Sequence, residues 1–294
     1  MIKNLLVITI CCFALCVTSQ NALFCDELEG INQLIKSEHY QPKPINDSLS
    51  KGVFNLFLKA IDKNQRFFTQ EDINSFENDR YKIDDYINDK DCEFIKRYSQ
   101  LLEKRILASK AILENLKAVE LDYSGKDSLY YSAEDTYSYF KNETAVIKYW
   151  NKKIRYKILR KLVENDSVLD NITSNFKALE KEIKPKIINN EICLLEELEH
   201  SKGTISNRVE VSFLDTLLKY QDPHSAYFSA SDKNLFEQSV SNSQLSFGIS
   251  TKKKTNGDIV ISYIAPGSSA FKQGEFEVND VILALESGTK TIET

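Results

Sequence analysis

Histidine, glycine, proline and cysteine are all scarce in this chain: 3, 9, 5 and 6 of them in 294 residues. His39, His200 and His224 stand far apart, without metal-ligand spacing, so no metal site is expected. The shortage of glycine and proline leaves long stretches without a helix breaker. There is no excess of positive charge either. The formal net charge is −5, which gives no general case for binding nucleic acid. Three cysteines, Cys11, Cys12 and Cys16, fall in the first twenty residues. The other three, Cys25, Cys92 and Cys193, are too few and too widely spaced for a disulfide framework or a metal set. One pair could close in an oxidising compartment, but buried free thiols are the expected state. No residue pattern calls for a cofactor.

What is present is ordinary for a soluble globular protein: 42% apolar and 28% charged residues, in a length that suits one large or two modest domains. Lysines alternate with Asp and Glu, and read as solvated helix faces. The first residues, "MIKNLLVITICCFALCVTSQ", place Lys3 before an apolar run from Leu5 to Val17. That run is short for a membrane span and fits a secretory signal over residues 1–19, cleaved after Ser19. Only an uncleaved anchor would bring in the membrane. Bulky Leu15 and Phe24 disfavour a lipid anchor on Cys16 or Cys25.

Residues 20–221 read as a helical domain. In "VFNLFLKAI", Val53, Phe57, Leu58 and Ile61 share a helical face. Asp62 to Arg66 reads as a turn. "TQED" offers Thr69 as N-cap and Asp72 as its capping-box partner. Phe94, Tyr98, Leu101, Leu102, Ile106, Leu113 and Leu116 mark a long helix, and Val146, Trp150, Ile154, Ile158 and Leu162 another. Residues 121–140 form a connection. A further helix is expected to stop before Pro185, followed by a separate one through "KIINNEICLLEELEHSKG" and a last one through "ISNRVEVSFLDTLLKYQ". Residues 222–240 are a linker with a short helix, capped by Ser229 with Asp232 at its third position.

From residue 241 the period changes to two. "LSFGISTKKKTNGDIVISYIAPG" holds Asn256-Gly257 between two strand-like runs, a strong hairpin signal. "SSAFKQG" is a helical turn closed by Gly274, and "VNDVILALES" reads as one further strand. The fold class is therefore α+β, a mostly helical domain followed by a small β domain over 241–294.

Three features of that tail resemble a PDZ domain. Phe247-Gly248-Ile249 sits where such domains receive a peptide's terminal carboxylate. Ala265-Pro266-Gly267-Ser268-Ser269-Ala270 matches the turn into the first helix. Asn279-Asp280-Val281-Ile282 matches a strand start, with Asn279 in place of glycine because Asn tolerates the left-handed region. Upstream, "DPHSAYFSASDKNLF", "DKNQRFFTQEDINSF" and "YWNKKIRYKILRKL" are similar, in order, to blocks of the carboxy-terminal processing, or tail-specific, proteases.

The resemblance implies an exported serine endopeptidase acting in the periplasm or on the outer side of the cytoplasmic membrane. Its PDZ domain would hold apolar C-terminal segments of substrate proteins, and a Ser–Lys dyad would cleave them. An envelope adaptor is a possible partner. Phe247, Gly248 and Ile249 are the expected peptide-binding residues, because glycine lets backbone N–H groups approach a carboxylate closely. The peptide would add along the edge of the strand beginning near Ile249. No segment matches the family's nucleophile or lysine motifs, so no catalytic residue is assigned. The chain stops at Thr294, before the second PDZ helix. The PDZ domain is therefore read as incomplete, binding peptide weakly, with no hydrolysis by this chain. The alternative is a non-catalytic exported adaptor that uses its β tail for protein contacts. His224-Ser225, Asp84-Asp85 and Glu196-Glu197 read as structural or solvated, and the Asp62-Lys63-Asn64 run lacks the Gly and Glu of a calcium loop.

Overall fold

A computed structural model describes residues 23–130, 138–166, 168–200, 203–229, 232–234, 236–237, 247–254, 257–287 and 290–293. The signal-like residues 1–19 and Asn256 lie outside the described residues. The chain divides into two compact units, Met1–Tyr227 and Phe228–Thr294.

The first unit is helical: α1 (23–38), α2 (Asp47–Ile61), α3 (Gln70–Asn74), α4 (Ile83–Asp89), α5 (Glu93–Ala118), α6 (Glu143–Asn165), α7 (Leu169–His200) and α8 (Ile205–Gln221). Polar side chains set the starts. The Asn46 side chain accepts from the Ser48 and Leu49 N–H groups, Asn142 from Ala145 and Thr204 from Asn207. Thr69 and Asp72 form the expected capping box at α3. α5 is central, packing on α6, α7 and α8, while α2 lies on α8 and α4. Their apolar stripes meet in an aromatic core. The Phe57 ring lies 4.8 Å from Tyr98 and 5.4 Å from Phe213, and Phe76 lies 5.4 Å from Tyr98. No described helix is long and apolar enough to cross a membrane.

The second unit holds the β structure, completing an α+β fold. β1 (Ile249–Lys253) pairs antiparallel with β2 (Ile259–Ile264), which pairs with β3 (Val281–Ile282). A short α9 (Ser269–Gln273) bridges β2 and β3, capped by Ser268 and closed by Gly274 at φ +71°. β4 (Ala284–Ser287) and β5 (Lys290–Glu293) form a separate two-stranded sheet.

Three expectations are corrected. α7 runs through Pro185 instead of breaking there. Proline in a helix interior costs about 3 kcal/mol. Here Ile183 and Lys184 on one side and Ile188 and Glu191 on the other are buried, which holds both halves on one axis. Pro185 itself is exposed, as is Lys181, whose carbonyl it cannot bond. The cysteines are not buried free thiols: Cys25 and Cys92 form a disulfide joining α1 to the start of α5, and Cys193 is exposed. Finally, "VNDVILALES" is not one strand. It leaves the three-stranded sheet at Leu283 and enters the second sheet at Ala284, so its apolar run serves two ladders.

Candidate functional site

The three expected peptide-binding residues come together at the start of β1. Gly248 has φ +80°, a conformation that L side chains rarely adopt. A Cβ built there would overlap the Ser268 side chain. Two hydrogen bonds fix the loop against the turn into α9. The Ala265 N–H donates to the Gly248 carbonyl at 2.7 Å, and the Ala270 N–H donates to the Phe247 carbonyl at 3.1 Å. Ser268, which excludes any larger residue at 248, also caps α9 by accepting from the Phe271 N–H at 3.2 Å. Loop and helix start are therefore one locked piece.

The side chains on either side differ. Phe247 is 81% exposed and Ile249 is partly buried. Among the described residues β1 is an edge strand, since the sheet order is β1-β2-β3. An open strand edge beside a glycine loop is the arrangement that accepts an added strand. Further along the edge, Lys252, Lys253 and Lys254 are exposed, which discourages unspecific strand pairing. Asn279 adopts φ +83°, as expected from its replacement of glycine, and its N–H donates to the Ile261 carbonyl at 2.8 Å.

The helical unit concentrates charge in two places. The first is at α3. Arg105 donates to both oxygens of Asp72, at 2.7 and 2.8 Å, and to Glu143 at 2.9 Å, joining α3, α5 and α6. Burial works to raise the Asp72 pKa, but Arg105 and the Thr69 bonds outweigh it and hold the carboxyl below its usual value. The second is at α7. The Glu191 side chain is 2% exposed and bonds Lys153 at 2.8 Å, with Lys157 also in direct contact. Burial again works to raise its pKa, and the two lysines hold it below the ordinary carboxylate range. Lys153, 11% exposed, is held below the usual lysine value because burial outweighs Glu191. Alternation of Lys with Asp and Glu marks these charges only as solvated helix faces, and the burial of Glu191 and Asp72 corrects that expectation. Asp84 also departs from that reading: it is half-buried and accepts from Ser50 Oγ.

A family model described as the tail-specific protease N-terminal domain matches residues 31–231, more than half of the chain. The chain belongs to the tail-specific protease family. It is 23% identical over 264 residues to the tail-specific protease of Haemophilus influenzae, covering 88% of this chain and 35% of that protein. The chain thus spans about a third of the length of the curated relative it matches.

The sequence blocks similar to tail-specific proteases have structural roles here. In the "DKNQRFF" block, buried Asp62 accepts from the Arg66 and Phe67 N–H groups at 2.9 and 3.0 Å and shapes the turn after α2. Burial raises its pKa, against those bonds. The "YWNKKIRYK" block supplies Trp150 to the core and Lys153 and Lys157 to Glu191. In the "DPHS" block, Asp222 accepts from the His224 N–H at 3.0 Å, and exposed His224 turns the chain out of α8. In this tail-specific protease chain the matched blocks lie in the helical unit, and the Gly248 loop lies in the β unit.

Proposed function

We propose that the chain is the N-terminal region of an exported tail-specific serine endopeptidase, and that its β unit is the first part of a PDZ domain that captures apolar protein C-termini. The observation that carries the recognition step is the locked Gly248 loop, with φ +80° beside the open edge of β1. A terminal carboxylate would sit against that loop while the last residues add along β1 from Ile249. Phe247 offers apolar surface to the final side chain. No residue of this chain is assigned to the Ser–Lys dyad, so its part is recognition. The Cys25–Cys92 disulfide supports export, since such bonds persist in oxidising compartments.

The test is fluorescence polarisation with a labelled decapeptide ending in a free apolar residue. Weak, saturable binding is expected, lost on C-terminal amidation and lost in Gly248→Val. Equal binding of the amidated peptide would remove the carboxylate-receiving role from this loop.

A further inference from the structure

A cavity of about 390 Å³ lies within the helical unit, between the turn after α2, the connection that follows α5 and the first half of α6. Much of its wall is apolar and aromatic: Leu129, Tyr130, Phe140, Ala145 and Tyr149. The Phe140 and Tyr149 rings lie 5.2 Å apart. Backbone bonds hold this wall in place. The Gln70 N–H donates to the Phe140 carbonyl at 2.7 Å, and the Phe140 N–H donates to the Phe68 carbonyl at 3.3 Å. Two cations, Lys148 and Lys152, line the same cavity from one face of α6, and no carboxylate does so among the described residues. Lys152 donates to the Ser128 carbonyl at 3.0 Å and lies 3.9 Å from Asp127, which Arg155 already holds at 2.9 Å. Lys148 is exposed and has no ionic partner among the described residues. Two carboxylates of the flanking elements are engaged elsewhere: Asp62 accepts from the Arg66 and Phe67 N–H groups, and Glu143 pairs with Arg105.

We propose that this cavity binds a small aromatic anion. The ring lies among Tyr130, Phe140 and Tyr149, where ring–ring contacts add to apolar burial. The anionic group meets Lys148 and Lys152. The volume falls within the range of roughly 300–1,000 Å³ typical of small-ligand sites. A neutral ring leaves Lys148 without a counter-charge, and an aliphatic anion forgoes the ring contacts. The cavity lies wholly in the helical unit, the Gly248 loop in the β unit, so the cavity takes no part in the PDZ reading.

The whole chain is titrated by calorimetry with naphthalenesulfonate, with naphthol as the ring without the charge and hexanesulfonate as the charge without the ring. None of these probes carries a peptide backbone, which addition along β1 requires. The expected result is saturable binding of naphthalenesulfonate with a Kd of about 1 mM or tighter, the other two binding at least about fivefold more weakly. Hydrogen exchange read by mass spectrometry locates the site: bound naphthalenesulfonate should slow exchange over 138–152 and leave 247–254 unchanged. Lys148→Gln should weaken binding about fivefold, while Lys177→Gln, exposed on α7, and Gly248→Val should leave it unchanged. No saturable binding, equal binding of naphthol or hexanesulfonate, protection confined to other segments, or a Lys148→Gln chain that binds as tightly as Lys177→Gln overturns the proposal. The comparison of probes uses the unaltered chain, so it stands even if a variant fails to fold.

Discussion

Replacing Glu191 by Gln tests the account of the buried charges most directly. The substitution keeps size and removes the negative charge shared by Lys153 and Lys157. Their side chains are 11% and 17% exposed, so neither cation recovers full hydration. Removing one partner of a buried ion pair costs about 3–5 kcal/mol, because the other charge stays buried without compensation. At about 2–4 °C per kcal/mol for a unit of this size, the melting temperature should fall by roughly 6–20 °C. The assay is thermal unfolding followed by Trp150 fluorescence, which reads the helical unit. The loss should be greatest near neutral pH. Lys153 already has a folded pKa below its ordinary 10.5, and without Glu191 it falls further. A cation with a depressed folded pKa imposes its full penalty below that pKa. The penalty then fades as pH rises towards the unfolded value. Glu182→Gln is the control: its pair with Lys186 is 2.8 Å long, with side chains 65% and 70% exposed, and its loss should leave the transition in place. If Glu191→Gln melts no lower than Glu182→Gln, the buried triad does not stabilise the domain.

Three further outcomes are expected. Gly52→Ala should destabilise, although alanine is the better helix former by about 1 kcal/mol, because the new Cβ runs into the Tyr220 ring where α2 packs on α8. Overpacking of this kind costs about 1–3 kcal/mol, and urea unfolding gives the sign. Cys92→Ser opens a cross-link with a sequence separation of 67 residues and should lower stability by about 4 kcal/mol in the chain-entropy account, while mass spectrometry of the unreduced wild type recovers Cys25 and Cys92 in one linked peptide. Acid should weaken the helical unit through Glu191 and Asp72, whose folded pKa values lie below the ordinary 4.5 and 3.8. Their contribution is present above those values and is lost as pH falls through the folded ones, a trend that Glu191→Gln and Asp72→Asn should each reduce in an acid titration followed by circular dichroism.

The helices α5, α6 and α8 were legible because their apolar residues repeat at helical spacing without interruption. The capping box at Thr69 and the left-handed Asn279 followed from local chemistry alone. α1 was harder to separate, since Phe24, Leu28 and Ile35 follow closely on the signal-like run. Pro185 misled because a local penalty was set against packing on both sides that only the tertiary structure supplies. Glu191 stands among several glutamates in "NNEICLLEELEH", and nothing in that string marks it as buried. A usable signal lay on α6, where Lys153 and Lys157 flank the buried stripe of Trp150, Ile154 and Ile158. Which cysteines pair is a matter of long-range geometry, and spacing does not reveal it. The Gly248 loop was read at its residues, but its lock, Ser268 against the glycine, depends on a contact across the β2 hairpin arm.

The pairing of β1 with β2 shifts register between Ser250 and Thr251, leaving Ser262 as the extra residue, whose hydroxyl donates to the Ser250 carbonyl at 3.1 Å. A bulge strengthens the local twist, so the outer edge turns away only two residues past the glycine loop. Within the proposed reading, this makes β1 a short ruler. A captured chain is measured from its very end, over two or three residues, and the lysines that follow give no further purchase. Such a reader tests whether a tail is present, free and apolar, and ignores the sequence behind it.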